Sequence, residues 1–159
     1  MSTLSYSKII GTIYEIKPND NDCSRQVISI NTGYGPASII LNNDTYVAEN
    51  ETLQLGMTIA AFFDPNQPVP LIYPPSYQAL AVTSIKDNDN VTLHYFNNNL
   101  VASDNSLMLN LSDSTVIKTA NGQYFTCNPG GNILMVYYQA TTRSVPPQTT
   151  PHKIIVFCS

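Results

Sequence analysis

The sequence has few charged side chains, and this narrows its possible partners. Lys, Arg, Asp and Glu make up 11% of the 159 residues, against roughly 25% in an average soluble domain. Seven basic residues stand against 11 acidic ones, so the net charge is −4. DNA, RNA and anionic lipid are therefore poor partners, because binding them depends on a basic surface that neutralises phosphates.

Long apolar runs are also missing. No run approaches the roughly 20 residues that a membrane-spanning helix needs, so we expect no membrane insertion. The first eight residues, Met1–Lys8, lack the basic and then apolar pattern of a secretion signal. We therefore expect synthesis in the cytoplasm, followed by retention, association with a spore or release to the cell exterior. A mature fragment whose signal has been removed is the remaining alternative.

Motifs for catalysis, cofactors and metals are absent from the sequence. There is no Gly-x-Ser-x-Gly or Ser-x-x-Lys motif, and the histidines, His94 and His152, have no metal-ligand spacing. Strand alternation predicts that His94 faces solvent, and His152 follows a proline in a loop. The acidic pairs at 20–22 and 87–89 could hold calcium, but turns closed by their own side chains are favoured. We predict no enzyme activity, no catalytic residue, no cofactor and no metal site.

The three cysteines, Cys23, Cys127 and Cys158, do not form a CxxC motif. Cys158 is the penultimate residue. It is either the source of a disulfide between molecules or an unreactive thiol, and the sequence leaves the pairing of all three open.

What the sequence does contain is a series of short β-branched and aromatic runs. Eleven prolines and seven glycines separate these runs, and no helical stripe extends over more than two turns. The pattern predicts an all-β protein. The predicted strands lie near 8–16, 26–31, 37–41, 44–48, 57–63 and 77–85, and then near 91–96, 99–103, 106–111, 114–118, 132–138 and 153–157.

The two halves of the chain resemble each other in three features that occur in the same order. Leu41–Val47 matches Leu111–Ile117, 70 positions later, and Pro74-Pro75 matches Pro146-Pro147, 72 positions later. The third match joins two aromatic pairs that end strands, Phe62-Phe63 and Tyr137-Tyr138. We interpret the chain as a duplicated unit, with domains at 5–86 and 87–159. Each domain is expected to be a small OB-like β-barrel, or alternatively one sheet of a β-sandwich.

Two proline-rich segments resemble a known family. The segments are Phe62-Phe-Asp-Pro-Asn-Gln-Pro-Val-Pro-Leu-Ile-Tyr-Pro-Pro75 and Tyr137-Tyr-Gln-Ala-Thr-Thr-Arg-Ser-Val-Pro-Pro-Gln-Thr-Thr-Pro151. They are similar to small β proteins of clostridia and related spore-forming bacteria, in which Thr-Arg-Ser-Ile-Pro-Pro-Gln or Pro-Leu-Ile-Tyr-Pro-Pro follows an aromatic pair; here Val145 replaces the isoleucine. The resemblance implies an OB-like fold and a bacterial source, without a defined chemistry.

The proline-rich segments also supply the candidate interface residues. Leu71, Ile72 and Tyr73 are apolar residues between prolines, which must either fold onto the domain or contact another molecule. Arg143 is the one charge in the matching segment, where it either pins the loop or contacts a partner. Cys158 completes the set of candidates.

These features support two functional hypotheses. The first is a non-catalytic structural protein that assembles with copies of itself, in a spore-associated or cell-surface structure or filament, with a cell-wall or spore-layer partner as an option. The alternative is a module that binds an oligosaccharide or a peptide on one face of an OB-like barrel.

Overall fold

The computed structural model describes residues 6–19 and 21–158. The protein is all-β, as predicted, and a 3-10 turn at Ala48–Asn50 is the helical structure in that part of the chain. The chain divides into an N-terminal unit, Tyr6–Lys86, and a C-terminal unit that begins at Asp87. Within the described ranges, no helix has the length and apolar character needed to cross a membrane.

The N-terminal unit contains one seven-stranded sheet. Its strands are β1 (Ser7–Asn19), β2 (Asp22–Thr32), β3 (Gly35–Leu41), β4 (Tyr46–Val47), β5 (Thr58–Phe63), β6 (Ser76–Gln78) and β7 (Ala81–Ser84). They lie in the order β4-β7-β5-β1-β2-β3-β6, and the pairs β4–β7 and β3–β6 are parallel. Strand β1 pairs with β5 through its first half and with β2 through its second half.

Alternate residues of these strands form the core of the N-terminal unit. Its buried members are Ile13, Ile28, Ile30, Ala37, Ile39, Ile59, Ala61, Ala79 and Val82. The spacing of two along β2, β3 and β5 follows from the pleat of a strand, which sends successive side chains to opposite faces. Branched aliphatic side chains pack well on a pleated surface, so these positions favour strands as well as burial.

The C-terminal unit has a four-stranded sheet and a two-stranded sheet. Its strands are β8 (Asn90–Phe96), β9 (Met108–Leu109), β10 (Val116–Thr119), β11 (Asn132–Tyr138), β12 (Gln148–Thr149) and β13 (Lys153–Phe157). The orders are β10-β13-β11-β8 and β12-β9, with β10–β13 and β12–β9 parallel. Two bridges, Phe96 to Ala102 and Val101 to Met108, connect β8 to β9 at the place that β2 fills in the other unit.

Both main sheets are open, and no closed barrel is found among the described residues. The part of the OB-like prediction that the structure supports is therefore the all-β fold. In the N-terminal unit, one segment nevertheless hydrogen-bonds to two strands, β3 and β5, that are separated in the sheet by β1 and β2. The Ala79 N–H donates to the Ile40 carbonyl on β3 at 3.0 Å, and the Leu80 N–H donates to the Phe62 carbonyl on β5 at 2.8 Å.

Three strands differ from the sequence prediction. The predicted strand at 77–85 is two strands, β6 and β7, because Ala79 and Leu80 lead the chain from a position beside β3 to a position beside β5. The predicted strand at 99–103 is reduced to the two bridges. Strand β12 was not predicted, since it directly follows two prolines, which cannot donate to a ladder. There the Met108 N–H donates to the Pro147 carbonyl at 2.9 Å, an interaction that needs no proline donor.

The prediction that His94 faces solvent is wrong. Its side chain is only 15% exposed, and its ring lies edge-on to Phe96 with 6.5 Å between ring centroids. Alternation along β8 places His94 on the face of Phe96, and Phe96 belongs to the core of the C-terminal unit. Alternation alone could not predict this position, because both faces of β8 carry buried residues, Val91 and Leu93 on one face and Phe96 on the other.

Candidate functional site

The two proline-rich loops occupy the same position in the two units. Residues 64–75 connect β5 to β6, and residues 139–147 connect β11 to β12. Each loop contains a cis X–Pro bond, Tyr73–Pro74 or Val145–Pro146. Each loop also ends at a proline whose carbonyl accepts a backbone hydrogen bond from the neighbouring strand. The loops therefore join equivalent strands, but they differ in length, 64–75 against 139–147, as well as in their side chains.

The N-terminal loop carries apolar side chains into solvent. Leu71 is 104% exposed, Ile72 59% and Tyr73 78%, and Tyr34, at the tip of the β2–β3 hairpin, is 103% exposed. The loop and the hairpin tip are close, because a Cβ placed on Gly35 would lie 3.5 Å from the Tyr73 hydroxyl. We call these four residues the apolar face. Three predicted interface residues thus lie together, and Tyr34 joins them.

An apolar groove of about 650 Å³ lies beside the apolar face. Tyr34 and Tyr73 are shared by the face and the groove, and Ile9, Phe63 and Tyr77 contribute to the groove lining. The rings of Phe63 and Tyr77 are stacked with centroids 4.5 Å apart, which gives this side of the groove a fixed aromatic surface. Lys8 also lines the groove, and burial lowers the pKa of its ammonium group.

The C-terminal loop is polar and is held by hydroxyl groups rather than by Arg143. The Thr142 and Ser144 hydroxyls lie 2.6 Å apart, and Ser144 donates to the Pro146 carbonyl at 2.8 Å. The Gln148 N–H donates to the Thr142 hydroxyl at 3.0 Å. Arg143 is exposed, and its guanidinium has no hydrogen-bond partner among the described residues. The side-chain hydrogen bonds that hold this loop therefore involve hydroxyl groups.

A polar cleft of about 500 Å³ lies between this loop and the strands next to it. Its lining includes Asn110, Gln139, Thr141, Thr142, Gln148 and His152. The Asn110 amide Nδ2 donates to Gln148 Oε1 at 3.0 Å, which joins the side chain beyond β9 to the first residue of β12. Amides and hydroxyls that both donate and accept hydrogen bonds thus dominate the cleft.

One carboxylate holds two of the residues that line the polar cleft. His152 Nε2 lies 3.0 Å from Asp89 Oδ1, and Gln139 Nε2 donates to the same oxygen at 3.3 Å. The Asp89 side chain is 12% exposed, while that of His152 is 50% exposed. A carboxylate next to an imidazole fixes the orientation of the ring, as in many enzyme and ligand sites.

The remaining sequence candidates stay apart from these sites. Cys23, Cys127 and Cys158 are all free and exposed, so each thiol can be reached from solvent. No group of three or more potential metal ligands occurs in the described ranges of the chain. Of the two acidic pairs, Asp20 lies outside the described residues. Asp89 is engaged with His152 and Gln139, and the Ser24 N–H and hydroxyl both donate to Asp22, which is the turn arrangement that the sequence favoured.

Sequence reasoning missed Tyr34, the polar cleft and the pairing of Asp89 with His152. Tyr34 was visible only as part of a Gly-rich turn, and nothing in the sequence places that turn beside the loop at 64–75. Asp89 and His152 are 63 positions apart. The duplication aligns the two loops through Pro74-Pro75 and Pro146-Pro147, but its matched features do not extend to Asp89 or His152. Comparison with known protein families, with curated proteins and with solved structures finds no match for this chain.

Proposed function

We propose that this chain is a non-catalytic structural protein that associates with copies of itself through the apolar face of its N-terminal unit. The observation that carries the proposal is the exposure of Leu71, Ile72, Tyr73 and Tyr34 beside an apolar groove. Exposed apolar groups that lie together are uncommon on soluble monomers and mark contact sites. A tyrosine buries roughly 150–250 Å² when it is covered. The four residues together therefore reach the few hundred Å² at which an exposed apolar patch indicates a contact site.

A second copy is the occupant that fits the apolar face best. The face presents a protruding apolar loop and an apolar groove side by side, so two copies related by a two-fold axis could each place the loop in the groove of the other. Such an interface is isologous, which is the commonest geometry of homodimers. The low charge of the chain supports this choice, because 11% charged residues leave little like-charge repulsion between copies.

An OB-like barrel with an open seam is the fold that we propose for each unit. In the N-terminal unit, the long strand β1 is shared between β2 and β5, the pair β3–β6 is parallel, and the segment from β6 to β7 hydrogen-bonds to both β3 and β5. The C-terminal unit repeats the parallel pair as β9–β12. A barrel of this kind removes most sheet edges, which directs association to loops rather than to strand pairing.

The absence of catalysis is part of the proposal. The Asp89–His152 pair is the nearest arrangement to catalytic machinery, and a hydrolase would also need a nucleophile within reach of the imidazole. Two hydroxyls of the polar cleft already have partners within the unit: Thr149 donates to the Ala140 carbonyl at 2.6 Å, and Thr142 contacts Ser144. These contacts favour a structural role for the two hydroxyls over a role as nucleophiles. The spore-associated or cell-surface setting rests on the family resemblance of the two loops and is likewise proposed.

Sedimentation velocity over a range of concentrations tests the self-association. We expect the wild type, kept reduced, to show a dimer whose fraction rises with concentration, and the Leu71→Ser/Ile72→Ser variant to stay monomeric. Val145→Ser is the matched control, because Val145 is 91% exposed in the equivalent loop of the other unit and should leave the dimer unchanged. A wild type that is monomeric at every concentration, or a double variant that dimerises like the wild type, contradicts the proposal. Omitting the reductant then reports separately on disulfides between exposed thiols such as Cys158.

A ligand-binding module is the second candidate function, and the polar cleft is the observation that favours it. The cleft lies in the other unit from the apolar face, so the two functions do not compete for the same residues.

A further inference from the structure

The polar cleft has the composition of a site for a neutral ligand. Apart from His152, its lining consists of Asn, Gln, Thr and Ala, and no Asp, Glu, Lys or Arg of the described chain is part of it. An anionic ligand would meet no Lys or Arg in the lining, and a cationic ligand would meet only Asp89, whose Oδ1 already contacts His152 and Gln139. An apolar ligand would desolvate amides and hydroxyls without replacing their hydrogen bonds. The chemistry that remains is a neutral ligand rich in groups that both donate and accept.

The amide pair of Asn110 and Gln148 provides the specific recognition element. Nδ2 of Asn110 donates to Oε1 of Gln148 at 3.0 Å, so the two amides lie side by side. By the inventory of an amide, this bond leaves the Asn110 oxygen as an acceptor and the Gln148 nitrogen as a donor. An acceptor next to a donor matches two neighbouring hydroxyl groups, of which one donates and the other accepts.

The cleft is organised before any ligand arrives. Asp89 holds Gln139 and His152 at 3.3 and 3.0 Å, and the Thr142 hydroxyl is fixed by its contacts with Ser144 and the Gln148 N–H. Side chains that are already ordered lose little conformational entropy on binding, so weak hydrogen bonds can still produce measurable affinity.

The equivalent place in the N-terminal unit lacks this arrangement. The register of the parallel pairs aligns Met108 with Ser38 and Gln148 with Ser76. The next positions along the two chains are the core residues Leu109 and Ile39. The positions after these are Asn110 and Ile40, which therefore correspond. An aliphatic side chain and a serine cannot form the amide pair, so the site belongs to the C-terminal unit.

We propose that the polar cleft binds a neutral oligosaccharide, with the Asn110–Gln148 amide pair contacting two neighbouring hydroxyls of one sugar ring. This inference goes beyond self-association and uses none of the residues of the apolar face.

The test follows the side-chain amide signals of the full chain by NMR while sugars are added. The probes are cellotetraose and tetra-N-acetylchitotetraose as neutral sugars, with tetragalacturonic acid as the charged counterpart. We expect at least one neutral probe to shift the Asn110, Gln139 and Gln148 amide signals saturably, and the charged probe to bind at least about tenfold more weakly. A charged probe that binds as well as the neutral probes or better, or the absence of saturable shifts with both neutral probes, overturns the proposal.

Variants connect any binding to the amide pair. Asn110→Leu, which keeps the branched shape of the side chain but removes both hydrogen-bonding atoms, should weaken binding about tenfold. Asn66→Ala, which removes an exposed amide from the loop of the N-terminal unit, is the matched control and should leave the affinity unchanged. Gln148→Leu provides a second variant in case Asn110→Leu fails to give a folded spectrum. Unchanged affinity in a folded Asn110→Leu or Gln148→Leu protein contradicts the role of the pair. The Leu71→Ser/Ile72→Ser protein should bind like the wild type.

Discussion

The two units share a backbone scheme down to single hydrogen bonds, while their exposed loops have opposite character. In the N-terminal unit, the Thr45 hydroxyl accepts from the Asn42 N–H and donates to the Ala79 carbonyl, at 3.0 and 2.9 Å. In the C-terminal unit, Thr115 accepts from the Ser112 N–H and donates to the Pro151 carbonyl, at 3.2 and 2.7 Å. A feature kept in both units therefore belongs to the fold, and one that differs is a candidate for function.

The largest difference within the scheme is the β1–β2 hairpin. Strands β1 and β2 contain 13 and 11 residues in the N-terminal unit, whereas two bridges replace β2 in the C-terminal unit. Gly11 on β1 pairs with Ile59 on β5, and His94 on β8 pairs with Leu134 on β11. Gly11 and His94 are therefore equivalent positions in the two units. A Cβ on Gly11 would lie 2.7 Å from the Asn31 carbonyl oxygen of β2. The short second hairpin thus gives room for an imidazole where the long one requires glycine.

The largest expected effect concerns the two core residues at the end of this strand pair, Ile13 and Phe96. Both are at most 2% exposed, and each belongs to the core of its own unit. Phe96→Ala should lower the free energy of unfolding by about 3–5 kcal/mol, and Ile13→Ala by about 2–5 kcal/mol, because each leaves a cavity. Hydrogen exchange, read residue by residue, measures the result. We expect each variant to reduce protection most in its own unit, and equal losses in both units would contradict separate cores.

The next effect tests whether the long hairpin really requires glycine. Gly11→Ala should destabilise the N-terminal unit by about 1–3 kcal/mol, since the contact that must give way is backbone rather than a flexible side chain. Gly33→Ala is the control, because nothing lies within 4 Å of a Cβ at that position. Urea unfolding of the two variants gives the comparison. A Gly11→Ala protein as stable as the Gly33→Ala protein would show that β2 can move away from β1.

Much of this scheme could be predicted from the sequence, for physical reasons that particular residues show. The predicted strands at 57–63 and 132–138 contain continuous apolar runs, at 59–63 and 133–138, which indicate a strand whatever its neighbours are. The alignment of Leu41–Val47 with Leu111–Ile117 matched the two segments that contain the turns closed by Thr45 and Thr115, although it did not predict the turns themselves. Strand β12 and the environment of His94 could not be predicted in this way. Both depend on which strand lies alongside, and local periodicity carries no information about pairing partners over long separations.

The candidate sites were predictable to a lesser degree. The apolar character of Leu71, Ile72 and Tyr73 is a local property, so the sequence identified the loop as a contact region. The polar cleft depends on Asn110 just beyond β9, on the loop at 139–147 and on residues in and after β12, which only the folded chain brings together. Arg143 is the charged residue of its loop, yet neutral hydroxyl groups hold that loop, so charge alone was a poor guide to its contacts.

A smaller effect tests the shared hydrogen bonds directly. Thr45→Val and Thr115→Val each keep the side-chain shape but lose one accepted and one donated hydrogen bond. Because both hydroxyls are only partly buried, we expect each change to lower the free energy of unfolding by roughly 1 kcal/mol. Thermal unfolding of the two variants is the measurement. Equal losses in the free energy of unfolding would support the equivalence of the two turns. A loss in only one variant would show that the two turns share a geometry but contribute differently to stability.

The smallest expected effect concerns two aspartates that accept hydrogen bonds from a serine two residues later. The Ser24 hydroxyl and N–H lower the pKa of Asp22, and Arg25 adds a weaker effect in the same direction. For Asp104, burial raises the pKa, but hydrogen bonds from Ser106 and the charge of His94, 3.8 Å away, outweigh burial and lower the pKa overall. A carboxyl whose pKa is lower in the folded state than in the unfolded state stabilises the fold above the unfolded value of about 3.9, and this stability is lost as the pH falls through the folded value.

The two aspartates therefore differ in their charged neighbours, and the His94→Gln variant separates them. Removing the imidazolium should raise the pKa of Asp104 and leave that of Asp22 unchanged, because Asp22 is lowered by Ser24 and Arg25 in the other unit. Carboxyl-carbon NMR shifts, recorded from pH 7 down to the start of acid unfolding, give both values in one titration. Arg25→Gln is the reciprocal control and should raise only the pKa of Asp22. If His94→Gln leaves the Asp104 value unchanged, the histidine contributes packing against Phe96 but no charge, and the short hairpin has gained a core side chain instead of an ion pair.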